Sequence, residues 1–389
     1  MTETFDAIVV GGGPAGATAA HELARRGRSV LLLDRGGRIK PCGGAIPPRL
    51  IRDFAIPDRL LAARIRSARI VAPSHRTVDM PIENGFVGMV DREVFDEFLR
   101  ERAAATGAVR RLGRFVGVTR DADGTAVVQI AAAGGSTQVR ARVVVGADGA
   151  RSAVAASCIP GGGRVPCVFA YHEIVRAPAA GFDGARCDVY YQGHLSPDFY
   201  GWVFPHGATA SVGSGTARKG FPLRHAVGAL RQAAGLGEVE TVRREGAPIP
   251  LRPLRRWDNG CDVIVAGDAA GVVAPASGEG IYYAMEGGRL AAEAADTFLA
   301  TGAPAALRTA RRRFMRAHGR VFWILRVMQR FWYSSDRRRE RFVAICRDCD
   351  VQRLTWDSYM NKRLRWASPA SHVRIFLKDL AHLLGLVSA

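Results

Sequence analysis

The chain has 389 residues, 48% hydrophobic and 23% charged, a globular composition that excludes collagen-like, coiled-coil and wholly disordered chains. That length allows two or three domains and a core that needs no staples; seven scattered cysteines, with no signal or transit pattern ahead of the first strand, fit a reducing cytoplasm. Charge is the outlier: 55 basic residues face 36 acidic ones and all but four of the basic ones are arginine, which reads as coding bias or as attraction towards anionic surfaces and ligands.

Ala7–Val10 predicts a short buried strand, Ala15–Arg26 a helix and Ser29–Asp34 a second apolar strand. The Gly/Pro-rich stretch from Gly36 to Pro48 predicts a loop. Short strands follow around 68–90, and Asp91 is placed to cap a helix that turns Val94, Phe95, Phe98 and Leu99 inward. Strands are expected from 113 to 146, with Asp123-Gly124 as a hairpin turn, and again across 161–250. Val263–Ala266 predicts a third buried strand, followed by a turn and a helix from about Gly278 to Leu299. Phe314, His318, Val321, Leu325, Met328 and Trp332 then recur three or four apart, an amphipathic stripe among thirteen arginines between Arg308 and Arg347. Ser368-Pro369 opens a last helix bearing Ile375, Leu377, Leu380, Leu384 and Val387. No apolar run approaches the ~20 residues that span a bilayer. Cys346-x-x-Cys349 lacks a partner pair and reads as two helix residues, so no metal site is expected.

Gly11-Gly12-Gly13-Pro14-Ala15-Gly16 is G-x-G-x-x-G between a strand and a helix. Gly11 suits the tight turn, Gly13 lets the backbone approach a pyrophosphate, and Gly16 lets helix pack on strand. The helix N-terminus offers unpaired N–H groups and a positive dipole end. Asp34 ends the second strand, where an acid bonds a ribose. Two later strands end in acidic turns, Val143–Asp148 before Gly149 and Val263–Asp268.

These segments, with Arg92, resemble the flavoprotein family of p-hydroxybenzoate hydroxylase. The resemblance implies an α/β (α+β) chain: a Rossmann-type FAD-binding domain from 1–70, 88–160 and 250–300, an inserted mainly-β substrate domain from 71–87 and 161–249, and a basic helical region over 301–389. It implies FAD, held at Gly11, Gly13, Ala15, Gly16, Asp34, Arg35, Cys42, Gly43, Gly44, Arg92, Val116, Asp148, Gly267, Asp268, Gly280 and Ile281. NADPH is the expected reductant, and this family gives it no domain of its own. Asp34 stands where many relatives carry Glu; both accept ribose hydroxyls.

Within that family, Lys40-Pro41-Cys42-Gly43-Gly44-Ala45-Ile46-Pro47 is similar to the loop of geranylgeranyl reductases. Tyr200-Gly201-Trp202-Val203-Phe204-Pro205, followed by Gly213-Ser214-Gly215, matches their aromatic cavity motif, and the run from Tyr359 to Leu386 resembles their bacteriochlorophyll branch. The resemblance implies a bacterial enzyme that saturates three double bonds of a geranylgeranyl group. Tyr200, Trp202, Phe204 and Pro205 are the expected substrate residues; on a strand the three aromatics share one face and suit an apolar tunnel. Cys42 reads either as a small residue against the flavin or as a proton donor, since a thiol with an ordinary pKa of ~8.5 holds its proton at neutral pH. His206 reads as structural. The expected partner is an isoprenoid or prenylated pigment, reached by peripheral contact of the arginine-rich helices with membrane; no nucleic-acid motif accompanies the charge. Rival readings are a reductase of archaeal-type lipid or quinone tails, an aromatic monooxygenase of the same fold, and a basic binding protein with a vestigial flavin site.

Overall fold

Strand Thr4–Val10 loses its solvent from Ala7 onward because Ala7, Ile8, Val9 and Val10 are apolar on both faces, as a central parallel strand requires. In the computed structural model, which describes residues 2–37 and 39–362, it pairs in parallel with Val30–Asp34 and with Gly135–Gly146. The sheet runs 109–112, 30–34, 4–10, 135–146, 126–132, 114–120, with Val263–Val265 added in parallel to the end of 135–146. The hairpin turn at Asp123-Gly124 is present, with Gly124 at φ +83°. Helices Pro14–Ala24 and Ile281–Thr301 pack together through small residues: a Cβ on Gly288 would overlap the Ala15 carbonyl. Trp257, Tyr283, Phe314 and Phe322 complete this core, with Phe322 4.9 Å from Tyr283 between ring centroids.

The described residues divide into two compact units. The first is built from 1–40, 92–167 and 248–322, and holds that sheet. The second is built from 41–91, 168–247 and the chain from Trp323 on. Its large sheet runs 241–250, 167–176, 209–216, 201–206, 186–190, 67–71, 77–81, and a small one pairs 45–46 and 61–65 with 87–90. Within 161–250, where strands are expected, Leu223–Ala233 is instead a helix that buries Ala226, Val227 and Leu230 against Val175, Val203 and Val212. Among the described residues no helix is long and apolar enough to cross a membrane.

Several expectations are corrected. Segments 41–70 and 88–91 belong to the second unit, because strand Leu61–Ile65 takes its hydrogen bonds from 87–90. The helical region is no separate body: helix Arg308–Trp332 changes units at 322/323, and the following helix is tied to its own unit by Arg339 on the Pro197 carbonyl and Glu340 on Ser74. In helix Arg92–Ala105 the buried row is Phe95, Leu99 and Ala103, four residues apart, so Val94 lies round the helix and is 55% exposed. In helix Arg308–Trp332 the buried residues include Phe314, His318, Phe322 and Trp332, whereas Val321, Leu325 and Met328 are half-buried. Cys346 caps the end of helix Asp336–Ile345 and Cys349 starts the next, so only the second is helical. The loop from Gly36 is interrupted by the two-residue strand Ala45–Ile46 and ends in helix Pro48–Asp53. The expected helix beyond Ser368, and the Tyr359–Leu386 run past Lys362, lie outside the described residues.

Candidate active site

In the first unit the chain leaves strand Thr4–Val10 through Gly11 at φ +104°, a conformation that glycine alone adopts freely. Its amide donates to the Leu33 carbonyl at 2.7 Å, and Ala147 N–H donates to Val10 at 2.7 Å, which brings the 146–149 turn against the glycine loop. A Cβ on Gly11 would lie 2.9 Å from the Asp148 Cα, and one on Gly16 only 1.8 Å from the Gly11 carbonyl oxygen. Gly13, the residue before the helix, meets nothing within 4 Å. The helix opens with Pro14 and carries no acidic residue in its first turn, so its free N–H groups face an open, electropositive approach. Asp34 is half-buried at the strand end, accepting from Arg35 N at 2.8 Å and from Arg100 Nη1 at 3.4 Å.

The second acidic turn completes this site. Gly267, at φ +62°, sits so close to Ala15 that a side chain would collide with it, and Asp268 is ion-paired with Lys40. Gly280 and Ile281 begin the long helix, whose Tyr282 N–H donates to the Glu279 carboxylate at 3.0 Å. A cradle of glycines, the N-terminus of helix Pro14–Ala24 and Asp34 fits a dinucleotide: the pyrophosphate at that helix, a ribose at Asp34. Two expected contacts are engaged within the protein. Asp148 accepts from Ser152 Oγ and from Ala153 and Val154 N–H, capping the next helix, and burial raises its pKa against those bonds. Arg92 makes a buried two-point pair with Asp96 at 2.8 and 2.7 Å. Arg35 is exposed, and Val116 is half exposed on strand Arg114–Arg120.

The second unit holds the expected substrate residues. Tyr200, Trp202 and Phe204 line one face of strand Gly201–His206 and the residue before it, with ring centroids 6.0 and 6.1 Å apart; Pro205 is buried. Phe199 stacks on Tyr200 at 4.2 Å and Tyr191 lies 6.0 Å away. The Tyr191 and Tyr333 hydroxyls meet at 3.1 Å. Burial pushes the phenols of Tyr191, Tyr200 and Tyr333 well above their usual range, so this wall carries no charge. The Cys42-Gly43-Gly44 loop is seated on the same strand. A Cβ on Gly43 would touch the Phe204 ring at 3.0 Å, and one on Gly44, at φ +73°, would lie 2.5 Å from His206 Cε1 and from the Val90 carbonyl. Gly44 N–H points to Cys42 Sγ at 3.4 Å, and His206 Nε2 lies 3.1 Å from the Gly43 carbonyl. Burial lowers the pKa of His206, which keeps it neutral and a donor to that carbonyl.

The FAD binding domain family model matches residues 4–160. Over 386 residues, 98% of either chain, the sequence is 59% identical to the geranylgeranyl diphosphate reductase of Rhodobacter capsulatus. The chain belongs to the geranylgeranyl reductase family. This reductase is also 34% identical to the geranylgeranyl diphosphate reductase of Synechocystis over 97% of each chain. To the digeranylgeranylglycerophospholipid reductase of Methanocaldococcus jannaschii it is 29% identical, over 76% of this chain and 78% of that one. A solved geranylgeranyl bacteriochlorophyll reductase-like protein from Thermoplasma acidophilum has the same fold, with TM-score 0.83 over 96% of both chains at 22% identity. The fold extends to p-nitrophenol 4-monooxygenase of Pseudomonas putida, with TM-score 0.71 over 92% and 98% of the chains at 17% identity. The enzyme is thus an FAD-dependent reductase that shares only its fold with such monooxygenases.

In the reductase, no sequence pattern signals Lys40 as the partner of Asp268, Arg100 as the partner of Asp34, or the Gly43 carbonyl as the partner of His206, which is structural as expected. Each of these pairs is at least 66 residues apart in sequence, and no spacing rule signals it.

Proposed function

We propose that this enzyme saturates three of the four double bonds of a geranylgeranyl group, carried on bacteriochlorophyll or as the diphosphate, to give phytyl. The observation that carries the reading is the aromatic row Tyr200–Trp202–Phe204 seated on the Cys42–Gly44 loop. An isoprenoid offers only C–H and C=C groups, so its site must be apolar and orienting without fixing register. The row meets that need, because its indole N–H is bonded to Ser211 and its one phenol, Tyr200, stays neutral. A chain can then slide between successive reductions.

Gly11, Gly13 and Gly16 would receive the pyrophosphate, Asp34 a ribose, and Gly267–Asp268 the ribityl end. FAD held there, once reduced by NADPH, would supply the hydride chemistry that saturates a trisubstituted alkene. Cys42 delivers the proton to one alkene carbon, and the aromatic row excludes water from the reacting bond. Trp323 and Val327, one turn apart and 59% and 45% exposed, lie among exposed arginines and support docking on the cytoplasmic face of an anionic membrane.

The test is anaerobic. NADPH should bleach the oxidised-flavin absorbance, and geranylgeranylated bacteriochlorophyll or geranylgeranyl diphosphate should restore it. Recovery only with an archaeal-type lipid or quinone tail would overturn the substrate assignment. Sedimentation with phosphatidylglycerol vesicles that Trp323→Ala does not weaken would overturn the docking face.

A further inference from the structure

Beside the aromatic row, on the same face of the sheet, runs a buried polar chain that packing alone does not require. Trp202 Nε1 donates to Ser211 Oγ at 3.1 Å, Ser211 Oγ lies 2.9 Å from His172 Nδ1, and His172 Nε2 lies 3.0 Å from Glu245 Oε2. Arg243, partly exposed, pairs with the other Glu245 oxygen. Ser211 is wholly buried, and His172 and Trp202 are nearly so. Donor counting sets the direction. An indole N–H only donates, so Ser211 accepts from it and turns its own hydrogen to Nδ1; Nε2 then carries the imidazole proton towards Glu245. Burial alone would raise the Glu245 pKa, but the neighbouring His172 N–H and the Arg243 guanidinium hold it below the usual carboxylate range. The indole itself lies over Gly213, where a Cβ would stand 2.5 Å from both Trp202 Cε2 and His172 Cβ.

We propose that Ser211, His172 and Glu245 are positioning residues that lock the Trp202 indole over Gly213, and that this lock sets how an isoprenoid lies along the row. The claim rests on the substrate reading above and adds to it a polar device alongside the apolar wall. Uniform apolar packing would fill this space without buried polar atoms, each of which must find a partner. The chain supplies orientation, which packing of a flat ring against a strand does not.

The test uses FAD-loaded protein and the variants Ser211→Ala, His172→Gln, Trp202→Phe and the double variant Ser211→Ala/Trp202→Phe. The near-UV circular-dichroism band assigned to Trp202 by subtracting the Trp202→Phe spectrum should shrink at least twofold in Ser211→Ala, with far-UV spectrum and FAD content unchanged. On geranylgeranyl diphosphate, kcat should fall about tenfold with KM within twofold, and partly reduced products should accumulate. In the Trp202→Phe background, Ser211→Ala should have no further effect. An unchanged Trp202 band in Ser211→Ala overturns the proposal even if no substrate turns over, and equal losses in both backgrounds overturn it if one does. Should His172→Gln fail to fold, Ser211→Ala alone decides.

Discussion

Two glycines of one turn should fail for opposite reasons when given a methyl group. At Gly16 an added Cβ would stand 1.8 Å from the Gly11 carbonyl oxygen and 3.1 Å from Ala147 Cβ. Gly11 is held by its bond to Leu33 and cannot swing aside, which puts Gly16→Ala near the upper end of overpacking costs, about 3 kcal/mol. At Gly13 the added Cβ meets nothing within 4 Å, and φ −74°, ψ −177° suit any residue. Gly13→Ala therefore costs the apoprotein only a weaker helix start, about 1 kcal/mol or less. It does, however, put a methyl group where a pyrophosphate must approach backbone. What it removes is stabilisation by ligand, about 2.7 kcal/mol at a hundredfold excess over Kd. Thermal melts of apo and FAD-saturated protein separate the two. Gly13→Ala should melt within a few degrees of wild type as apoprotein and gain nothing from FAD, whereas apo Gly16→Ala should melt roughly 6–12 °C lower. A normal FAD-induced rise in Gly13→Ala would refute the placement of the pyrophosphate over this turn.

The second unit yields three further tests. Gly44→Ala, strained at φ +73° and colliding with His206 and the Val90 carbonyl, should retain FAD but lose at least 90% of turnover (about 1.4 kcal/mol or more), read as flavin content against rate. His206 has a folded pKa below its unfolded value of 6.5. The unfolded chain thus binds the proton more readily, so this residue's contribution is complete above about pH 6.5 and is lost as pH falls. Urea midpoints of His206→Gln should decline less than those of wild type between about pH 6.5 and 5, and parallel curves would reject the assignment. Cys42→Ala should keep its flavin and its NADPH-driven bleaching while alkene reduction slows about 10²-fold or more; wild-type reduction rates would remove Cys42 as proton donor.

The parts legible in the sequence are those written by neighbours in the chain. Gly11 to Gly16 announces itself because turn, phosphate approach and helix packing need glycines at fixed local offsets, and Asp34 follows at the end of the next strand. Tyr200, Trp202 and Phe204 share a face because a strand alternates. What stayed hidden is held by residues far apart in sequence. Strand Leu61–Ile65 reads Leu-Ala-Ala-Arg-Ile, with no clean alternation of apolar and polar residues, and only its pairing with 87–90 makes it a strand of the second unit. His172 and Glu245 are joined across the sheet by strands 167–176 and 241–250, and neither residue announces the other. Val94 is apolar yet points outward, because Phe95, Leu99 and Ala103, at a four-residue spacing, occupy the buried face. Helix Arg308–Trp332 reads as one amphipathic element, and its periodicity gives no sign that its two ends serve different units.

The most direct test of the enzyme's activity is mass spectrometry of the products formed from geranylgeranylated bacteriochlorophyll by purified, FAD-loaded protein with NADPH and without oxygen. Stepwise gain of three hydrogen pairs, ending at the phytyl ester with one double bond left, is the predicted result. Unchanged pigment, with geranylgeranyl diphosphate equally untouched, would contradict it.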